Sequence, residues 1–254
     1  MAAPPSKAPL WNAPLAHRST LREGDTVQLD ATHAAGLSAR GIKVKEAFTI
    51  VDSGGDFFRA SLTDLGRRGG AALIYEKMLG STESPASITL LCAVLARQRM
   101  MSVVQKATEL GVHRIVPVIS ERSVQRDGLD HEKASAWPKQ ILRAARQSRR
   151  ASVPELSEAI ELRDALEAPY FSSADLTVYL DDRRGGRDAL SADLRGADRR
   201  VVFAVGPEGG WSDDERELLE ARGAAALRVG GRVLRAETAV WVGLTLLQHA
   251  YGDM

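Results

Sequence analysis

Cysteine is nearly absent from this sequence, since Cys92 is the only one among 254 residues. A single cysteine cannot form an internal disulfide, which fits a reducing cytoplasm. It lies in the apolar run 88–95, where a free thiol normally packs as an inert hydrophobe, so we expect a buried side chain and not a nucleophile. The five histidines are scattered without paired spacing, and with one cysteine beside them no metal site is expected.

Long hydrophobic stretches are missing as well, because no segment approaches the roughly 18 apolar residues of a membrane span. Residues 1–16 are rich in alanine and proline and lack the continuous apolar core of a signal peptide, so we interpret them as a loose lead-in. The 34 basic and 33 acidic side chains give a formal net charge of +1, which argues against a general polycation and leaves room for a local basic face. We expect a soluble cytoplasmic protein with no membrane partner.

The first third of the chain is rich in β signals. Two β-prone runs flank the turn at Gly54-Gly55, a pattern typical of a hairpin. The strands are predicted at 26–29, 48–51, 57–62 and 71–75. We predict a small β-barrel or sheet over residues 1–80, and we interpret the polar segment 80–85, with Gly and Pro at its ends, as the domain linker.

From residue 86 to residue 254 the pattern changes to alternating strands and helices, which predicts an α/β domain with a mostly parallel sheet. The strands are predicted at 88–95, 114–119, 176–180, 201–205 and 225–229. Helices are predicted from about 100 to 110, with Gly111 as C-cap, and from about 237 to 249. The second helix is apolar nearly all round, which indicates burial in a core or at a subunit interface.

A glycine-rich loop follows the apolar strand 201–205: Gly206-Pro207-Glu208-Gly209-Gly210. Ligands of open α/β sheets bind at such strand ends, and glycines let a backbone approach a ligand closely. Ser212 and Glu215 then predict a capping box that opens a helix. The alternatives are an ordinary turn or a phosphate cradle; the second is weaker, because the P-loop lysine is missing and Glu208 would repel phosphate.

A second loop, 229–235, leads from a short strand into the last helix, where Glu237 lies in the first turn. Arg235 and Glu237 form either a structural ion pair or part of a site. Further back, the segment 139–150 carries a basic stripe without acidic residues, formed by Lys139, Arg143, Arg146 and Arg150. Their spacing puts all four on one side of a helix, which is either solvated surface or a contact for RNA phosphates.

Together these segments resemble the RsmE family of ribosomal RNA methyltransferases, members of the SPOUT class. The matching segments are 105–112 (K-x-x-E-L-G-V), 115–118, 121–123, 137–154 (W…I…A-x-Q-S-x-R-x-x-V-P), 205–210 and 232–239. The likeness covers residues 88–252 strongly, while His33-Ala34-Ala35 and the Gly54-Gly55 hairpin resemble the family's N-terminal barrel more weakly. The sequence departs from the family at 96–99, where a basic residue is usual, at Gly231, where proline is common, and at the N-terminus, where the usual arginine has no counterpart.

The resemblance implies a SPOUT α/β domain with a deep trefoil knot, preceded by a small PUA-like β-barrel. It implies a homodimer that binds S-adenosylmethionine and methylates N3 of one uridine of 16S rRNA in the 30S subunit. The cofactor-binding residues that it implies are Leu180, Val205, Gly206, Pro207, Glu208, Gly209, Val229, Gly230, Val233, Leu234, Arg235, Thr238 and Ala239.

Arg235 is the expected catalytic cation, because uridine N3 must lose its hydrogen and a nearby positive charge would stabilise the resulting anion. Glu237 is expected to orient its neighbours. RNA contacts are assigned to Lys106, Glu109, Arg122, Arg143, Gln147, Arg149 and Arg150. The alternatives are a related SPOUT enzyme acting on a ribose 2′-hydroxyl or on tRNA, and a non-catalytic RNA-binding ribosome assembly factor.

Overall fold

The structure, a computed structural model, describes residues 12–191 and 199–254, so most of the predicted lead-in lies outside the described residues. The chain divides into two compact units. Of the described residues, unit 1 comprises 12–83 and 145–155, and unit 2 comprises 84–144, 156–191 and 199–254. The sequence pattern predicts domains at residues 1–80 and 86–254. The segment 145–155, which this prediction puts in the second domain, is part of unit 1.

Unit 1 is built on a five-stranded mixed sheet in the order β1-β3-β4-β5-β2. The strands are β1 (Leu15–Ala16), β2 (Thr26–Leu29), β3 (Ala47–Val51), β4 (Phe57–Gly66) and β5 (Gly69–Lys77). The predicted hairpin is confirmed, because β3 and β4 pair antiparallel around Gly54-Gly55. Helix α1 (Ala31–Ala39) was not predicted; it begins at Asp30, whose side chain accepts the backbone N–H of His33.

Unit 2 is an α/β unit built on a largely parallel sheet in the order β12-β10-β11-β6-β7-β8, with β9 also paired to β7. The strands are β6 (Ala86–Ala93), β7 (Arg114–Ile119), β8 (Glu155–Leu156), β9 (Ile160–Glu161), β10 (Leu176–Leu180), β11 (Arg199–Val205) and β12 (Ala225–Leu227). The five long strands are those predicted, with ends shifted by no more than two residues. The α/β class is confirmed for this part of the chain.

The chain order and the sheet order differ around β11, which lies between β10 and β6 and is parallel to both. The carboxyl ends of β6, β10, β11 and β12 therefore meet along one edge of the sheet. Parallel strands buried on both faces form continuous apolar runs, and β11 follows this rule from Val201 to Val205. The edge is the position where open α/β sheets bind ligands.

Seven α-helices are described, and those of unit 2 flank the sheet. After α1 they are α2 (Arg97–Glu109), α3 (Trp137–Gln147), α4 (Leu162–Glu167), α5 (Pro169–Ser172), α6 (Asp213–Ala221) and α7 (Ala236–Tyr251). Short 3-10 turns lie at Arg126–Gly128, Ala134–Ala136 and Arg187–Leu190. Among the described residues, no helix combines the length and apolar character that a membrane span requires.

Helix α7 packs against β11 through Gly243, where an added Cβ would lie only 2.1 Å from the Phe203 ring. Near the other end of the helix, the fully buried Gln248 donates to the Leu110 carbonyl at 2.6 Å and accepts the Ser84 hydroxyl at 2.7 Å. These bonds satisfy a polar group that would otherwise be costly to bury. The predicted burial of α7 holds for one face, whereas Trp241 and Leu246 are only half-buried.

Candidate functional site

A cavity of about 400 Å³ opens at the carboxyl edge of the parallel sheet in unit 2. Its walls come from the segments that follow β10, β11 and β12, and from the start of α7. Predicted cofactor residues that line it are Leu180, Val205, Gly206, Pro207, Glu208, Gly209, Val229, Val233, Leu234, Arg235 and Ala239. Gly230 and Thr238 were predicted for the same role and are not part of the lining.

The loop 206–210 is held by Trp211, which sequence reasoning did not select. Its side chain is 1% exposed, and its indole Nε1–H donates to the carbonyl of Leu180 at 3.2 Å. A Cβ at position 206 would lie 3.1 Å from the indole ring, so a side chain there would press on this buried tryptophan. Trp211 therefore fixes the distance between the ends of β10 and β11, the two strands that flank the cavity.

The helix after this loop begins as the sequence predicted. Ser212 accepts the backbone N–H of Glu215 at 3.3 Å, and the Glu215 carboxylate accepts the N–H of Ser212 at 2.9 Å. This capping box satisfies two backbone donors that have no partner inside the helix. The second oxygen of Glu215 accepts the backbone N–H of Glu121 at 2.8 Å, which ties the first turn of α6 to the segment after β7.

Arg99, at the start of α2, joins two carboxylates that the sequence placed in the site. Its Nη1 lies 2.5 Å from Glu208 Oε1, and its Nε lies 3.8 Å from Glu237 Oε2. The hydrogen bond to Glu208 raises the pKa of the Arg99 guanidinium, so the side chain stays charged. The segment 96–99, which departs from the resembling family, thus does supply a basic residue at the cavity.

The structural ion pair considered for Arg235 and Glu237 is wrong, because Glu237 faces Arg99 instead. Glu237 is 13% exposed at its side chain, and within the described residues its Oε2 has no hydrogen-bond partner. Arg235 is the N-cap residue of α7 and is exposed. Among residues 12–191 and 199–254 its guanidinium makes no ion pair and no hydrogen bond, so its charge is available at the cavity mouth.

A buried ion pair forms part of the cavity wall. Arg216 Nε lies 2.5 Å from Asp181 Oδ2, and the two side chains are 5% and 1% exposed. Burial alone would raise the pKa of the Asp181 carboxyl; the hydrogen bond from Arg216 and the backbone N–H groups of Arg183 and Arg184 outweigh it and lower that pKa. The bend after β10 is thereby held by a charged side chain, a feature without a signature in the local sequence.

Cys92 is fully buried on β6, as expected for packing. Burial, together with the negative charge of Glu208, raises the pKa of its thiol to about 12, so it remains a thiol at neutral pH. In the described part of the chain, no group of three or more His, Cys, Asp or Glu side chains is placed to hold a metal ion.

The basic stripe predicted over 139–150 is wrong at its far end. Helix α3 ends at Gln147, and Arg149 takes the left-handed conformation with φ 61°, so Arg150 leaves the helical face. Arg150 is buried and pairs with Glu83 at 2.7 Å, which the local sequence could not reveal. Its assignment to RNA phosphate is therefore corrected to a structural role in unit 1.

The remaining predicted RNA residues are exposed or half-buried. Arg143 and Gln147 are exposed, Lys106 pairs with Glu109 at 2.7 Å, and Arg149 pairs with Glu76 at 3.1 Å. Arg122 lies beside the cavity loop, where its Nη1 donates to the Gly209 carbonyl at 3.1 Å.

Comparison with known proteins places residues 82–248 in a family described as the RNA methyltransferase domain. Ribosomal RNA small subunit methyltransferase E of Synechocystis is 30% identical over 201 residues, which are 78% of this chain and 64% of that relative's length. The enzyme of the same name from Aquifex aeolicus is 29% identical over 229 residues, covering 90% of this chain and 96% of its own.

Two solved structures of methyltransferases are also similar to this chain. The ribosomal RNA small subunit methyltransferase E of Neisseria gonorrhoeae, bound to S-adenosylmethionine, is 32% identical with a TM-score of 0.67, covering 95% of this chain and 99% of that one. A putative methyltransferase from Legionella pneumophila, also in complex with S-adenosylmethionine, is 27% identical with a TM-score of 0.65, covering 94% and 98%.

Proposed function

Because this chain belongs to the ribosomal RNA small subunit methyltransferase E family, we propose that it transfers a methyl group from S-adenosylmethionine to N3 of a uridine in the 16S rRNA of the small ribosomal subunit. The observation that carries this proposal is the cavity formed by the loops 206–210 and 229–235 at the carboxyl edge of the sheet. Its solved relatives from Neisseria and Legionella contain that cofactor.

The lining of the cavity fits such a cofactor. Gly206 and Gly209 leave backbone accessible where a side chain would meet Trp211 or Arg122, and Val205, Leu234 and Ala239 offer apolar contacts. A cavity of this volume that combines apolar contacts with polar groups can hold a small molecule. When bound, S-adenosylmethionine supplies a sulfonium methyl that is already activated for transfer.

The protein's part in the reaction is to position the base and to manage one proton. Neutral uridine carries a hydrogen on N3, and its loss leaves negative charge on the ring carbonyls. Arg235 is the proposed stabilising cation, because it lines the cavity with an unpaired guanidinium and its backbone is the N-cap of α7. Glu237 acts as an orienting partner through Arg99.

The proposal extends to the fold and the partners. We assign a trefoil-knotted SPOUT domain to 86–254 and a PUA-like RNA-binding barrel to 1–80, with RNA contacts at Lys106, Glu109, Arg122, Arg143, Gln147 and Arg149. A homodimer is supported by the half-buried apolar side chains of Trp241, Val242 and Leu246 on α7, which a second copy would cover. The proposed location is the cytoplasm, where ribosomes assemble.

The test is methyl transfer to 30S particles and to naked 16S rRNA, with the modified nucleoside identified by mass spectrometry. The proposal expects N3-methyluridine. A 2′-O-methylated nucleoside, or transfer to tRNA alone, would assign the chain to a related RNA methyltransferase. Absence of S-adenosylmethionine binding in calorimetry would leave only an RNA-binding assembly factor.

The role of Arg235 is tested by Arg235→Ala beside Arg228→Ala, which removes an exposed arginine outside the cavity lining. We expect Arg235→Ala to lower kcat by about 100-fold, the usual loss when one electrostatic stabiliser is removed, and Arg228→Ala to leave kcat near wild type. Near wild-type turnover in a folded Arg235→Ala protein would refute this role.

A further inference from the structure

The cavity of unit 2 is lined by more arginines than its carboxylates neutralise. Arg216 is paired with Asp181, and Arg99 with Glu208. The remaining three are Arg183, Arg232 and Arg235. The lining contains five arginines and three carboxylates, Asp181, Asp182 and Glu208, so an excess of positive charge is left at these three side chains.

Each of the three is exposed. The Arg183 side chain is 72% exposed, and its ion pair with the half-exposed Asp182 is long, at 3.9 Å, so it contributes little. Arg232 and Arg235 form no ion pair and no side-chain hydrogen bond within the described residues. They come from two different segments, after β10 and after β12, and they meet at the same opening. We call Arg183, Arg232 and Arg235 the arginine rim.

The proposed cofactor does not account for this charge. S-adenosylmethionine carries a sulfonium, an ammonium and a carboxylate, so its net charge is positive. Its one carboxylate carries a single negative charge, which balances one guanidinium, and its two cationic groups would be repelled by the other arginines of the rim. A polyanion is the ligand that this rim suits, because Arg232 and Arg235 have no ionic partner among the described residues, Arg183 has only its long contact with Asp182, and arginine recognises phosphate through two parallel hydrogen bonds.

The rim also contains an apolar residue suited to a nucleobase. Val233, between Arg232 and Arg235, lines the cavity and is 81% exposed, although it is a large hydrophobic side chain. Single-stranded RNA is typically held with its unstacked bases on aromatic side chains or guanidinium planes and its phosphates on basic side chains. Here the guanidinium groups flank an exposed aliphatic surface that an unstacked base can cover.

We propose that Arg183 and Arg232 bind the phosphates of the RNA strand on either side of the target nucleotide, so that the nucleotide is presented to Arg235 with its base against Val233. This inference rests on the proposed function, since it presumes an RNA substrate. It differs from the contacts assigned by resemblance, because the strand is held at the cavity mouth itself.

The experiment compares Arg183→Gln, Arg232→Gln and the double variant with Arg163→Gln, which removes an exposed arginine of the same unit away from this cavity. Binding of 16S rRNA is measured across a series of KCl concentrations, and binding of S-adenosylmethionine by calorimetry. The association constant for rRNA should fall with rising salt, and a plot of its logarithm against log[salt] should be less steep in each single variant. The slope should decrease in magnitude by about 0.7 to 0.9, the value for one lost phosphate contact.

In the double variant the slope should decrease in magnitude by about twice that amount, and the KM for rRNA should rise. Its affinity for S-adenosylmethionine should stay within about twofold of wild type. Arg163→Gln should change neither the salt slope nor the KM for rRNA. Weakened cofactor binding with an unchanged salt slope would overturn the proposal and assign the rim to the cofactor carboxylate. An unchanged slope with a shifted monomer–dimer equilibrium would overturn it in favour of a second copy of this chain. Failure of the proposed function would appear separately, as a wild-type protein that neither methylates rRNA nor binds the cofactor.

Discussion

Arg99 Nη1 and Glu208 Oε1 lie 2.5 Å apart, although the two residues follow different strands of the sheet. Arg99 follows β6 and Glu208 follows β11, so their ion pair connects the ends of two adjacent parallel strands. The same guanidinium reaches toward Glu237 at the start of α7. The Arg99 side chain therefore links α2, the loop after β11 and the start of α7 at the edge of the cavity.

We predict that Arg99→Ala weakens S-adenosylmethionine binding by about fivefold or less, because the ion pair is partly exposed and such pairs contribute modestly. Arg99→Lys should restore only part of the loss, since an ammonium cannot reach both carboxylates in the same geometry. Calorimetric titration measures the effect. Arg97→Ala, which removes the exposed arginine two positions earlier, is the matched control, and an equal loss in that variant would argue against a specific role for Arg99.

Gly206→Ala is predicted to abolish most cofactor binding and to lower the free energy of unfolding by about 1 to 3 kcal/mol, because the new methyl group would lie against the Trp211 ring. The control is Gly231→Ala in the other cavity loop, where an added Cβ meets nothing within 4 Å. Urea unfolding and calorimetry separate stability from binding. Similar behaviour of the two variants would show that the Trp211 contact does not restrict position 206.

The Asp181–Arg216 pair predicts a specific response to acid. The pKa of the Asp181 carboxyl is lower in the folded protein than in the unfolded chain, where it has the ordinary value of about 4. The ion pair therefore contributes fully to the free energy of unfolding above about pH 4. That contribution is lost as the pH falls through the pKa of the folded state. Asp181→Asn should reduce the free energy of unfolding at pH 7 and should flatten its decline between about pH 4 and pH 2. Asp182→Asn, at the exposed neighbouring carboxylate, should leave the decline as in wild type. Urea titrations over this pH range provide the measurement, and parallel acid profiles for both variants would refute the assignment.

Arg150→Ala is predicted to destabilise unit 1 by about 3 to 5 kcal/mol, because it leaves the carboxylate of Glu83 buried without its charged partner. Arg143→Ala, an exposed position on α3, should change the free energy of unfolding by less than about 0.5 kcal/mol and should instead weaken rRNA binding. Thermal unfolding and rRNA binding at fixed salt distinguish the two. A stable Arg150→Ala protein with reduced rRNA affinity would return Arg150 to the RNA-binding set.

The sequence predicted those strands and helices whose apolar residues follow a clear periodic pattern. Strands β7 and β10 begin and end where the pattern placed them, and the capping box at Ser212 and Glu215 has the expected bonds. Helix α1 was missed because its alanine-rich residues show no one-sided apolar pattern, and its start depends on a single cap at Asp30.

The parts of the site that sequence reasoning missed depend on contacts between distant residues. The partner of Glu208 is Arg99, the partner of Arg216 is Asp181, and the indole of Trp211 donates to Leu180. None of these pairs is close in the chain, so no local spacing predicts them. The end of α3 was missed for a different reason: Arg149 adopts a positive φ, which only its surroundings in the fold stabilise.

The pairing of β6 with β11 also determines how this protein must fold. Ile88 lies beside Val201, so the two strands at the centre of the sheet meet only after the intervening chain has been brought back on itself. Closing such a long loop is entropically costly, and it makes folding slow relative to proteins with local contacts. The cavity edge depends on this pair, and ligand-binding competence should therefore appear late in refolding, after most helical structure has formed.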